Sequence, residues 1–381
     1  MPSADIPPKM RGLLLERFVE GKGEDDPYTL RSDIPFDASS LKPTDVVIRA
    51  AVAGVCHTDI MTVRGEMKRF LKEGLPIVPS HEPTGVIVAL GSEAASEKSA
   101  PATGGKRPLK EGDRVGSLAH KEPCGQCEEC KANRPKFCGN VSFLGISDKH
   151  GGLAEYLIAD YRFVAQLPDE VSFETGAPLM CAGLTIYTAI KALQLEKGKH
   201  VCIVGAGALG HIGSQIAKSK RLRVSVLDAR DAPLELCNSL RLKPDATYNC
   251  GKVDADDEQA VAAVVKAIGG EPDATIVTTD AIPAFKLAIN ITRKHGQMQV
   301  VGQPADPIPI PFYPLIFRDL RVTGSLLGNQ QDLKELVDLV GREGIEVKTK
   351  TFKLDELPKL LGELHSPTFA GKAVVRVGED Q

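Results

Sequence analysis

The sequence contains no long hydrophobic run and no strong excess of charge of either sign. No run of about 18 apolar residues occurs in the chain, which excludes a helix long enough to span a bilayer. The opening residues, MPSADIPPKMRGLLLERF, lack the apolar core of a signal peptide. A net charge of −3 gives no electrostatic reason to bind nucleic acid or an anionic membrane. We therefore expect neither a nucleic acid nor a membrane as a partner.

Length and composition indicate an ordinary globular protein with more than one core. A chain of 381 residues is longer than a single hydrophobic core usually grows, so two domains are expected. Hydrophobic residues make up 42% of the chain and charged residues 25%, as is usual for globular proteins. Nine cysteines without a secretory signal indicate a reducing compartment, and we predict a cytoplasmic location.

Four of the nine cysteines are crowded into fifteen residues in the pattern C-x2-C-x2-C-x7-C. They are Cys124, Cys127, Cys130 and Cys138. Four thiolates can close a tetrahedral shell around Zn²⁺ and leave no position for a substrate, as a structural zinc site requires. A disulfide cluster or a redox motif is the alternative. The spacing favours the structural zinc site, which holds a loop in one shape and does no chemistry.

Two patterns of hydrophobicity divide the chain near residue 185. From about residue 11, short β-like runs alternate with turns, which is typical of a mostly-β domain. Within it, residues 92–113 are mainly small and polar, and we expect their first part to be a surface insertion without a packed role. Alternating strand-like and helix-like segments follow, as in a parallel α/β sheet. We predict domains over 1–185 and 186–325, and a segment 326–381 that returns to the first domain.

A glycine-rich motif follows the first strand of the α/β part. Gly205, Gly207 and Gly210 fit G-x-G-x-x-G after the apolar run HVCIV, which predicts a Rossmann dinucleotide site at a helix N-terminus. Asp228 ends the next strand-like run, where a carboxylate binds the ribose hydroxyls of NAD and repels the 2′-phosphate of NADP. Arg230, two residues later, could instead favour NADP. A glycine-rich turn in an ordinary βαβ unit is the alternative.

Three further segments carry possible metal ligands far apart in sequence. They are Cys56 in GVCHTD, the pair His81-Glu82 in PSHEPTG, and Cys181 in PLMCAGLT. Three Cys or His ligands and one open position would make a catalytic zinc site, but spacing alone does not identify these residues as partners. A single cysteine is more often a small buried hydrophobe. We predict that role for Cys202, Cys237 and Cys250.

Taken together, these motifs resemble those of the zinc-dependent medium-chain alcohol dehydrogenases. GVCHTD, the His-Glu pair, the four-cysteine loop, APLMCAGLTIY and VGAGALG occur in that family's order and spacing, over about residues 11–377. APLMCAGLTIYTA is most similar to the yeast-type tetrameric branch. The resemblance implies a GroES-like, mostly-β catalytic domain plus a Rossmann domain with a doubly wound parallel sheet. It also implies two zinc ions per chain, NAD as cofactor with NADP less favoured, and a homotetramer or homodimer.

The resemblance also implies roles for individual residues. Cys56, His81 and Cys181 match the catalytic zinc ligands, and the four clustered cysteines match the structural ones. Thr58 matches the hydroxyl that accepts the alcohol proton, Glu82 the acid beside the zinc, and Asp59 the carboxylate that orients the histidine ligand. The positions matched to the dinucleotide are His57, Gly205, Gly207, Leu209, Gly210, Asp228, Arg230 and Lys372, of which His57 and Lys372 would contact the pyrophosphate.

The implied reaction is reversible hydride transfer between NAD and a small-molecule alcohol, which becomes an aldehyde or ketone. The sequence also departs from the family pattern at four points. Met61 stands where many relatives continue the proton relay with histidine, so we expect a shorter or water-mediated relay. The chain has no tryptophan, with Ala119 at one position where yeast-type relatives have it, and MKRFLKEGLP is longer than usual. We therefore expect substrates larger than ethanol. Ser80 replaces the usual glycine before His81.

Two other functions fit parts of the sequence. A zinc-free enoyl or quinone reductase uses the same scaffold, but such relatives usually lack the Cys/His ligand set. A non-catalytic dinucleotide sensor or zinc-stabilised binding module needs only the glycine-rich loop or the four-cysteine loop. Intact Cys56, Thr58, His81 and Cys181 favour the dehydrogenase over both.

Overall fold

Two large β-sheets organise the chain. A computed structural model describes residues 6–19, 27–71, 74–100, 107–364 and 366–378. The first sheet has seven strands, most of them antiparallel. In order of pairing they are Thr349–Lys353, Lys372–Arg376, Asp45–Gly54, Glu82–Leu90, Arg114–Ser117 and Val164–Gln166, with Tyr156–Asp160 also pairing on Asp45–Gly54. The predicted mostly-β part is confirmed, and two strands from the end of the chain complete its sheet.

The strand Asp45–Gly54 forms the centre of this sheet because apolar residues occupy both of its faces. Val46 and Ile48 pack into the main core of the domain, whereas Val47 packs into a separate cluster on the other side with Phe36 and Ala89. A strand buried on both faces has a nearly continuous apolar sequence instead of an alternating one. This explains why DVVIRAAVAG contains so few polar residues.

Smaller elements surround the first sheet. Two antiparallel pairs form between Lys9–Leu15 and Tyr28–Pro35 and between His120–Lys121 and Ser142–Phe143. The helices beside the first sheet include His57–Val63, Glu128–Lys131 and Leu357–Leu364. Short 3₁₀ turns occur at Lys68–Phe70, Pro135–Phe137, Tyr161–Phe163 and Leu354–Glu356.

The second sheet is parallel throughout and has six strands. Their order is Ala246–Asn249, Arg223–Asp228, His200–Val204, Ala274–Val277, Gln297–Val300 and Arg321–Gly324. In chain order this is 3-2-1-4-5-6, the doubly wound Rossmann arrangement. The helices that follow successive strands are Ala208–Ser219, Asp231–Ser239, Glu258–Ala267, Ile282–Ile291 and Phe312–Phe317. The predicted α/β fold is confirmed, and its strand order reverses between His200–Val204 and Ala274–Val277.

Helical segments connect the two sheets. Phe173–Pro178 continues through a π-turn at Leu179–Gly183 into Leu184–Ala192, and the long helix Gln330–Glu343 packs beside them. Asn329 caps this long helix by accepting a hydrogen bond from the Asp332 N–H group. Among the residues that the structure describes, no helix is both long enough and apolar enough to cross a bilayer.

The first part of residues 92–113 lies largely at the surface, as expected, but the prediction that it has no packed role was wrong. Ala94 is completely buried in the core of the first domain, and its N–H group donates to the Pro43 carbonyl at 3.0 Å. Ser99 is also buried, and its hydroxyl accepts a hydrogen bond from the Leu109 N–H group at 3.0 Å. A small side chain fits against the sheet as well as it suits a loop, so composition was not informative here. Residues 101–106 lie outside the described part.

Three buried histidines are neutral at physiological pH. Burial lowers the pKa of His120, His200 and His211 to about 4. His120 lies against the rings of Phe143 and Phe163, whose centroids are 5.5 and 5.3 Å away. Within the described residues, neither ring nitrogen of His120 has a hydrogen-bond partner. This imidazole packs as an apolar ring, and burial keeps it neutral until the pH falls to about 4.

We predict that the free energy of unfolding falls as the pH is lowered from about 6.5 to about 4. In this window the unfolded chain binds a proton at each buried histidine and the folded chain does not, so acid favours unfolding. Each histidine contributes at most about 3 kcal/mol to the loss. His120→Phe should keep the Tm at about pH 8 and reduce its fall between about pH 8 and pH 5 in calorimetry. A variant Tm that falls as steeply as that of the wild type would contradict this.

Candidate active site

A cleft of about 760 Å³ is lined by residues from both halves of the chain. It lies at the carboxyl ends of the two strands where the order of the parallel sheet reverses, the usual ligand site of such sheets. Most of the predicted site residues line it, namely Cys56, His57, Thr58, Cys181, Gly205, Gly207, Leu209, Asp228, Arg230 and Lys372. Asp59, His81 and Glu82 are buried and contact these lining residues.

Cys56, His81 and Cys181 come together although 125 residues separate the two cysteines. Cys56 precedes the helix His57–Val63, His81 precedes the strand Glu82–Leu90, and Cys181 lies in the π-turn. Cys181 Sγ is 4.0 Å from Cys56 Sγ and 3.3 Å from His81 Nε2. Tetrahedral zinc requires about 3.8 Å between two sulfurs and about 3.6 Å between sulfur and nitrogen. The donor set therefore fits Zn²⁺, and both cysteines line the cleft, where a further ligand could enter.

Asp59 holds the ligand segments in place. Its carboxylate accepts hydrogen bonds from the Cys56 N–H group at 2.7 Å and the Ser80 N–H group at 3.1 Å, and it lies 3.5 Å from His81 Nδ1. A carboxylate on this nitrogen leaves Nε2 free to bind a metal. Ser80 has a φ of 74°, a conformation that favours glycine, and its hydroxyl donates to the Gly54 carbonyl at 2.7 Å. That bond compensates for the missing glycine.

A buried ion pair lies beside this cluster. Lys372 Nζ donates to Glu82 Oε1 at 2.8 Å, and both side chains are almost completely buried. Burial raises the pKa of Glu82 to about 7, although Lys372 opposes that change. Burial alone would lower the pKa of Lys372, but Glu82 and the two thiols raise it. Lys372 lines the cleft, yet its ammonium group contacts Glu82, which the sequence prediction had not paired with it.

The four clustered cysteines also converge. Their sulfurs all lie within 4.8 Å of one another, around the short helix Glu128–Lys131. Cys124 Sγ accepts a hydrogen bond from the Cys127 N–H group, and Cys138 Sγ accepts from the N–H groups of Cys124 and Asn140. The Cys124 N–H group is the main reason why the pKa of Cys138 falls to about 6. Four thiols at this separation, some favoured as thiolates, fit a closed zinc site. All nine cysteines are free thiols.

The glycine-rich loop has the geometry that a dinucleotide requires. Gly205 has a φ of 111°, and a Cβ atom at Gly210 would lie 1.9 Å from the Gly205 carbonyl oxygen, so both positions require glycine. Asp228 accepts hydrogen bonds from the Ala206 N–H group at 2.8 Å and the Arg230 N–H group at 3.0 Å. The carboxylate is therefore fixed at the end of its strand, with Arg230 Nε 3.2 Å away.

His57 and Thr58 face the cleft from the first turn of their helix. Thr58 Oγ1 lies 3.8 Å from Cys56 Sγ, next to the candidate metal position. His57 Nε2 lies 3.7 Å from the Asp280 carboxylate, which belongs to the parallel-sheet half and also lines the cleft. Sequence reasoning missed Asp280, because nothing in TTDAIP distinguishes it from a loop carboxylate.

Known proteins match the chain over both halves. Residues 42–169 match the family profile "Alcohol dehydrogenase GroES-like domain", and residues 208–342 match "Zinc-binding dehydrogenase". An alcohol dehydrogenase of Geobacillus stearothermophilus is 32% identical over 87% of this chain and 92% of its own length. The chain belongs to the zinc-binding alcohol dehydrogenase family.

Other members of this family show the same likeness. A probable cinnamyl alcohol dehydrogenase of Arabidopsis thaliana is 29% identical over 89% of both chains. The solved alcohol dehydrogenase of Aeropyrum pernix superposes with a TM-score of 0.80 at 29% identity, over 96% of this chain and 99% of that one. A cinnamyl alcohol dehydrogenase of Sorghum bicolor has a TM-score of 0.79 at 25% identity, over 98% and 99%. These relatives support the dehydrogenase fold, and the match to the zinc-binding dehydrogenase profile supports zinc as a cofactor.

Two predictions about individual positions need correction. Cys202 and Cys237 are completely buried as expected, but Cys250 is partly exposed and lines the cleft near Asp228. It follows the strand Ala246–Asn249, which lies at the edge of the parallel sheet. Ala119 is buried, and its carbonyl accepts a hydrogen bond from Leu144, so it does not belong to the cleft lining. Its small size therefore gives no support for a wide cleft.

We predict two zinc ions per chain in metal analysis of the purified enzyme. Cys181→Ala should bind one zinc ion and keep nearly the wild-type Tm, because the lost metal lies at an open cleft. Cys138→Ser should also bind one, but its Tm should fall by several degrees, because metal-ligand bonds hold the four-cysteine loop folded. Two zinc ions retained in either variant would contradict the assignment of that ligand set.

Proposed function

We propose that this enzyme is a zinc- and NAD-dependent alcohol dehydrogenase that interconverts an alcohol with an aldehyde or ketone. One observation carries the proposal. The cysteines of the Cys56, His81 and Cys181 cluster line the same cleft as the glycine-rich loop, so a metal and a dinucleotide would meet there. The domains over 1–185 and 186–325 and the returning segment 326–381 belong to this proposal. The return of the last segment to the first domain is supported by its two strands, Thr349–Lys353 and Lys372–Arg376, which join the first sheet. Its helix Gln330–Glu343, in contrast, packs in the core of the parallel sheet.

The residues of the cleft divide the chemistry between them. Zinc bound by Cys56, His81 and Cys181 would supply a Lewis acid for the substrate oxygen, and NAD would supply the hydride acceptor. Thr58 takes the alcohol proton, because its hydroxyl lies beside the metal ligands and faces the cleft. Met61, which has no titratable group, does not line the cleft. The relay from Thr58 therefore does not use Met61 and is shorter or water-mediated.

Other residues act through their position and charge. Glu82 and Lys372 form a buried ion pair next to the proposed metal ligands. Asp59 orients His81. His57 is the cleft residue placed to bind the cofactor pyrophosphate, in competition with Asp280. Gly205, Gly207 and Leu209 would cradle the dinucleotide at the N-terminus of the helix Ala208–Ser219, and the buried Gly210 lets this helix pack closely against Gly205.

The NAD preference rests on Asp228. Its carboxylate accepts two backbone hydrogen bonds in the cleft wall, where the ribose hydroxyls of NAD would be recognised and the 2′-phosphate of NADP repelled. Arg230 is engaged by the same carboxylate and by the Phe369 carbonyl oxygen. The charge that could bind a phosphate is therefore already paired.

We predict that Asp228→Asn shifts the preference toward NADP. The amide oxygen can still accept the Ala206 hydrogen bond, while the repulsion is removed and Arg230 is released. The ratio of kcat/KM for NAD to that for NADP should fall by at least about tenfold, which corresponds to about 1.4 kcal/mol. The double variant Asp228→Asn, Arg230→Ala serves as the control, and its kcat/KM for NADP should be lower than that of Asp228→Asn alone. An unchanged ratio would show that Asp228 does not discriminate between the cofactors.

The alternatives fit the cleft less well. A zinc-free enoyl or quinone reductase needs no pair of thiols and imidazole within bonding range of one metal. A non-catalytic dinucleotide sensor needs no hydroxyl beside that cluster. Cys56, His81, Cys181 and Thr58 are all assembled here.

We propose substrates larger than ethanol. The chain has no tryptophan with which to narrow the cleft. Relatives named cinnamyl alcohol dehydrogenases make aromatic alcohols and aldehydes the first class to test.

The function is tested by the loss of NADH fluorescence with small and bulky aldehydes, measured in zinc-loaded protein. Turnover that is highest for the aromatic aldehydes and absent in Cys181→Ala is the expected result. Asp306→Ala serves as a matched surface control. Equal turnover in Cys181→Ala would contradict a catalytic zinc, and a preference for acetaldehyde would contradict the proposed substrate class.

We propose that the enzyme is a cytoplasmic homo-oligomer of the yeast-type branch, as a tetramer or dimer. Exposed apolar side chains cluster on and beside the helix Phe312–Phe317, namely Ile310, Phe312, Tyr313, Leu315, Ile316, Phe317 and Leu326. The neighbouring strand Arg321–Gly324 ends the parallel sheet with one edge unpaired among the described strands. Such a patch and edge favour association with a second copy. None of the nine cysteines forms a disulfide, which agrees with a reducing compartment.

A further inference from the structure

The helix that follows the glycine-rich loop carries two buried polar side chains on one face. His211 and Gln215 lie four residues apart on Ala208–Ser219, and both are completely buried. Neither lines the cleft. Both contact the extended segment between the helix Gln330–Glu343 and the strand Thr349–Lys353, which carries the chain back to the first sheet. No step proposed so far uses either residue.

Gln215 binds the backbone of this segment as a strand would. Its Nε2 donates to the Glu346 carbonyl at 2.7 Å, and its Oε1 accepts from the Glu346 N–H group at 2.9 Å. Nε2 also donates to the carbonyl of His211, four residues earlier, at 3.0 Å. The Gln215 amide group therefore donates through Nε2 and accepts through Oε1 to the same residue of the segment, Glu346.

His211 repeats this pattern one turn earlier. Its Nδ1 lies 3.0 Å from the carbonyl oxygen of Gly207, four residues earlier, and its Nε2 lies 3.3 Å from the Lys348 backbone nitrogen. A carbonyl can only accept and a backbone N–H can only donate, so His211 is the neutral tautomer with its proton on Nδ1. Its burial, which disfavours the charged form, agrees with this tautomer.

The spacing of the two side chains matches that of the segment. Four residues along a helix advance about 6 Å, and two residues along an extended chain advance about 6.6 Å. His211 and Gln215 therefore bind the alternate residues Lys348 and Glu346, whose backbone groups face the same side. This face of the helix replaces a neighbouring β-strand and fixes the register of the segment.

The hydrogen bonds continue to the metal cluster. The Lys348 carbonyl accepts from the Lys372 N–H group at 2.9 Å, and Lys372 Nζ donates to Glu82 at 2.8 Å. A side chain at Gly371 would collide with the Lys348 carbonyl, since its Cβ atom would lie 2.4 Å away, so this approach is tight. Four hydrogen bonds, linked through the His211 ring, the Lys348 backbone and the Lys372 side chain, thus join Gly207 in the dinucleotide loop to Glu82 beside the proposed metal ligands.

We propose that His211 and Gln215 are positioning residues that couple the dinucleotide loop to the Lys372–Glu82 pair and the metal cluster. The proposal rests on the proposed function, because that function makes the two ends of this path parts of one active site. Loss of the His211 bonds would free Lys348, and with it the backbone of Lys372, from the helix that binds the cofactor. Cofactor affinity and turnover should then fall together.

His211→Leu and His211→Gln test the coupling in zinc-loaded protein. Leucine removes both hydrogen bonds at similar volume. Glutamine can restore both, because Gln215 on the same helix already donates to the carbonyl four residues earlier and accepts from the segment. We expect the NADH Kd of His211→Leu to rise about tenfold, as for the loss of a buried hydrogen bond, and its kcat to fall several-fold. His211→Gln should stay within about twofold of the wild type in both.

A structural role alone would give a different result. His211→Leu with a lower Tm but with NADH Kd and kcat within about twofold of the wild type would overturn the proposal. So would a failure of His211→Gln to recover both values in folded protein. If His211→Leu does not fold, Gln215→Met removes the bonds that hold Glu346, and therefore Lys348, in register with the helix, so NADH affinity and kcat should again fall together. Unchanged values in Gln215→Met would then overturn it.

The NADH titration separates this proposal from the proposed function. Wild-type protein that binds NADH but reduces no aldehyde would contradict the function, while the Kd comparison among the variants would still decide the coupling. Wild-type protein that binds no NADH would overturn both.

Discussion

The buried ion pair between Lys372 and Glu82 connects the end of the chain to the metal site. These residues are 290 positions apart, and the strand Lys372–Arg376 must pair with Asp45–Gly54 before the ammonium group can reach the carboxylate. A buried carboxylate without a partner is costly, so the pair makes correct docking of the last strand a condition for a stable site. The parallel sheet is inserted between the two partners in the sequence. The first sheet is therefore complete only when strands that follow the second sheet in the sequence have joined it.

Charge balance explains why the pair lies where it does. Thiolates at Cys56 and Cys181 and a carboxylate at Glu82 would place three negative charges in one buried volume. The ammonium group of Lys372 and a divalent cation together neutralise them. Burial disfavours the charged form of Glu82 and raises its pKa to about 7, although Lys372 opposes that change. The donor set therefore fits a dication, and Lys372 supplies the remaining positive charge from the cleft wall.

Much of the fold was predictable because its central strands are buried on both faces. HVCIV and DVVIRAAVAG are almost continuous apolar runs, and both are strands. Ala246–Asn249 and Arg321–Gly324 were not predicted, since edge strands are only partly buried and lack such runs. Cys250 was misassigned for a related reason, because it follows an edge strand whose end lies at the cleft. The loop containing Ala94 was misassigned because small residues serve equally in loops and in cores.

The site could be predicted only in part. The four-cysteine loop and the glycine-rich loop are local, so their spacing alone carries information about their geometry. The cluster of Cys56, His81 and Cys181 is formed by tertiary structure, and only the family resemblance linked these residues beforehand. The partners of His211 and Gln215 are backbone groups of residues 346 and 348, which no side-chain pattern encodes. Hydrogen bonds to the backbone between distant segments become visible only in the folded chain.

Anomalous diffraction at the zinc edge, from crystals grown with NADH, tests the central claim most directly. The account predicts two peaks per chain. One lies among the four clustered cysteines, and the other lies about 2.3 Å from Cys56 Sγ and Cys181 Sγ and about 2.1 Å from His81 Nε2, with the nicotinamide in the same cleft. A single peak in the four-cysteine loop, with NADH bound and the Cys56, His81 and Cys181 cluster empty, would contradict it.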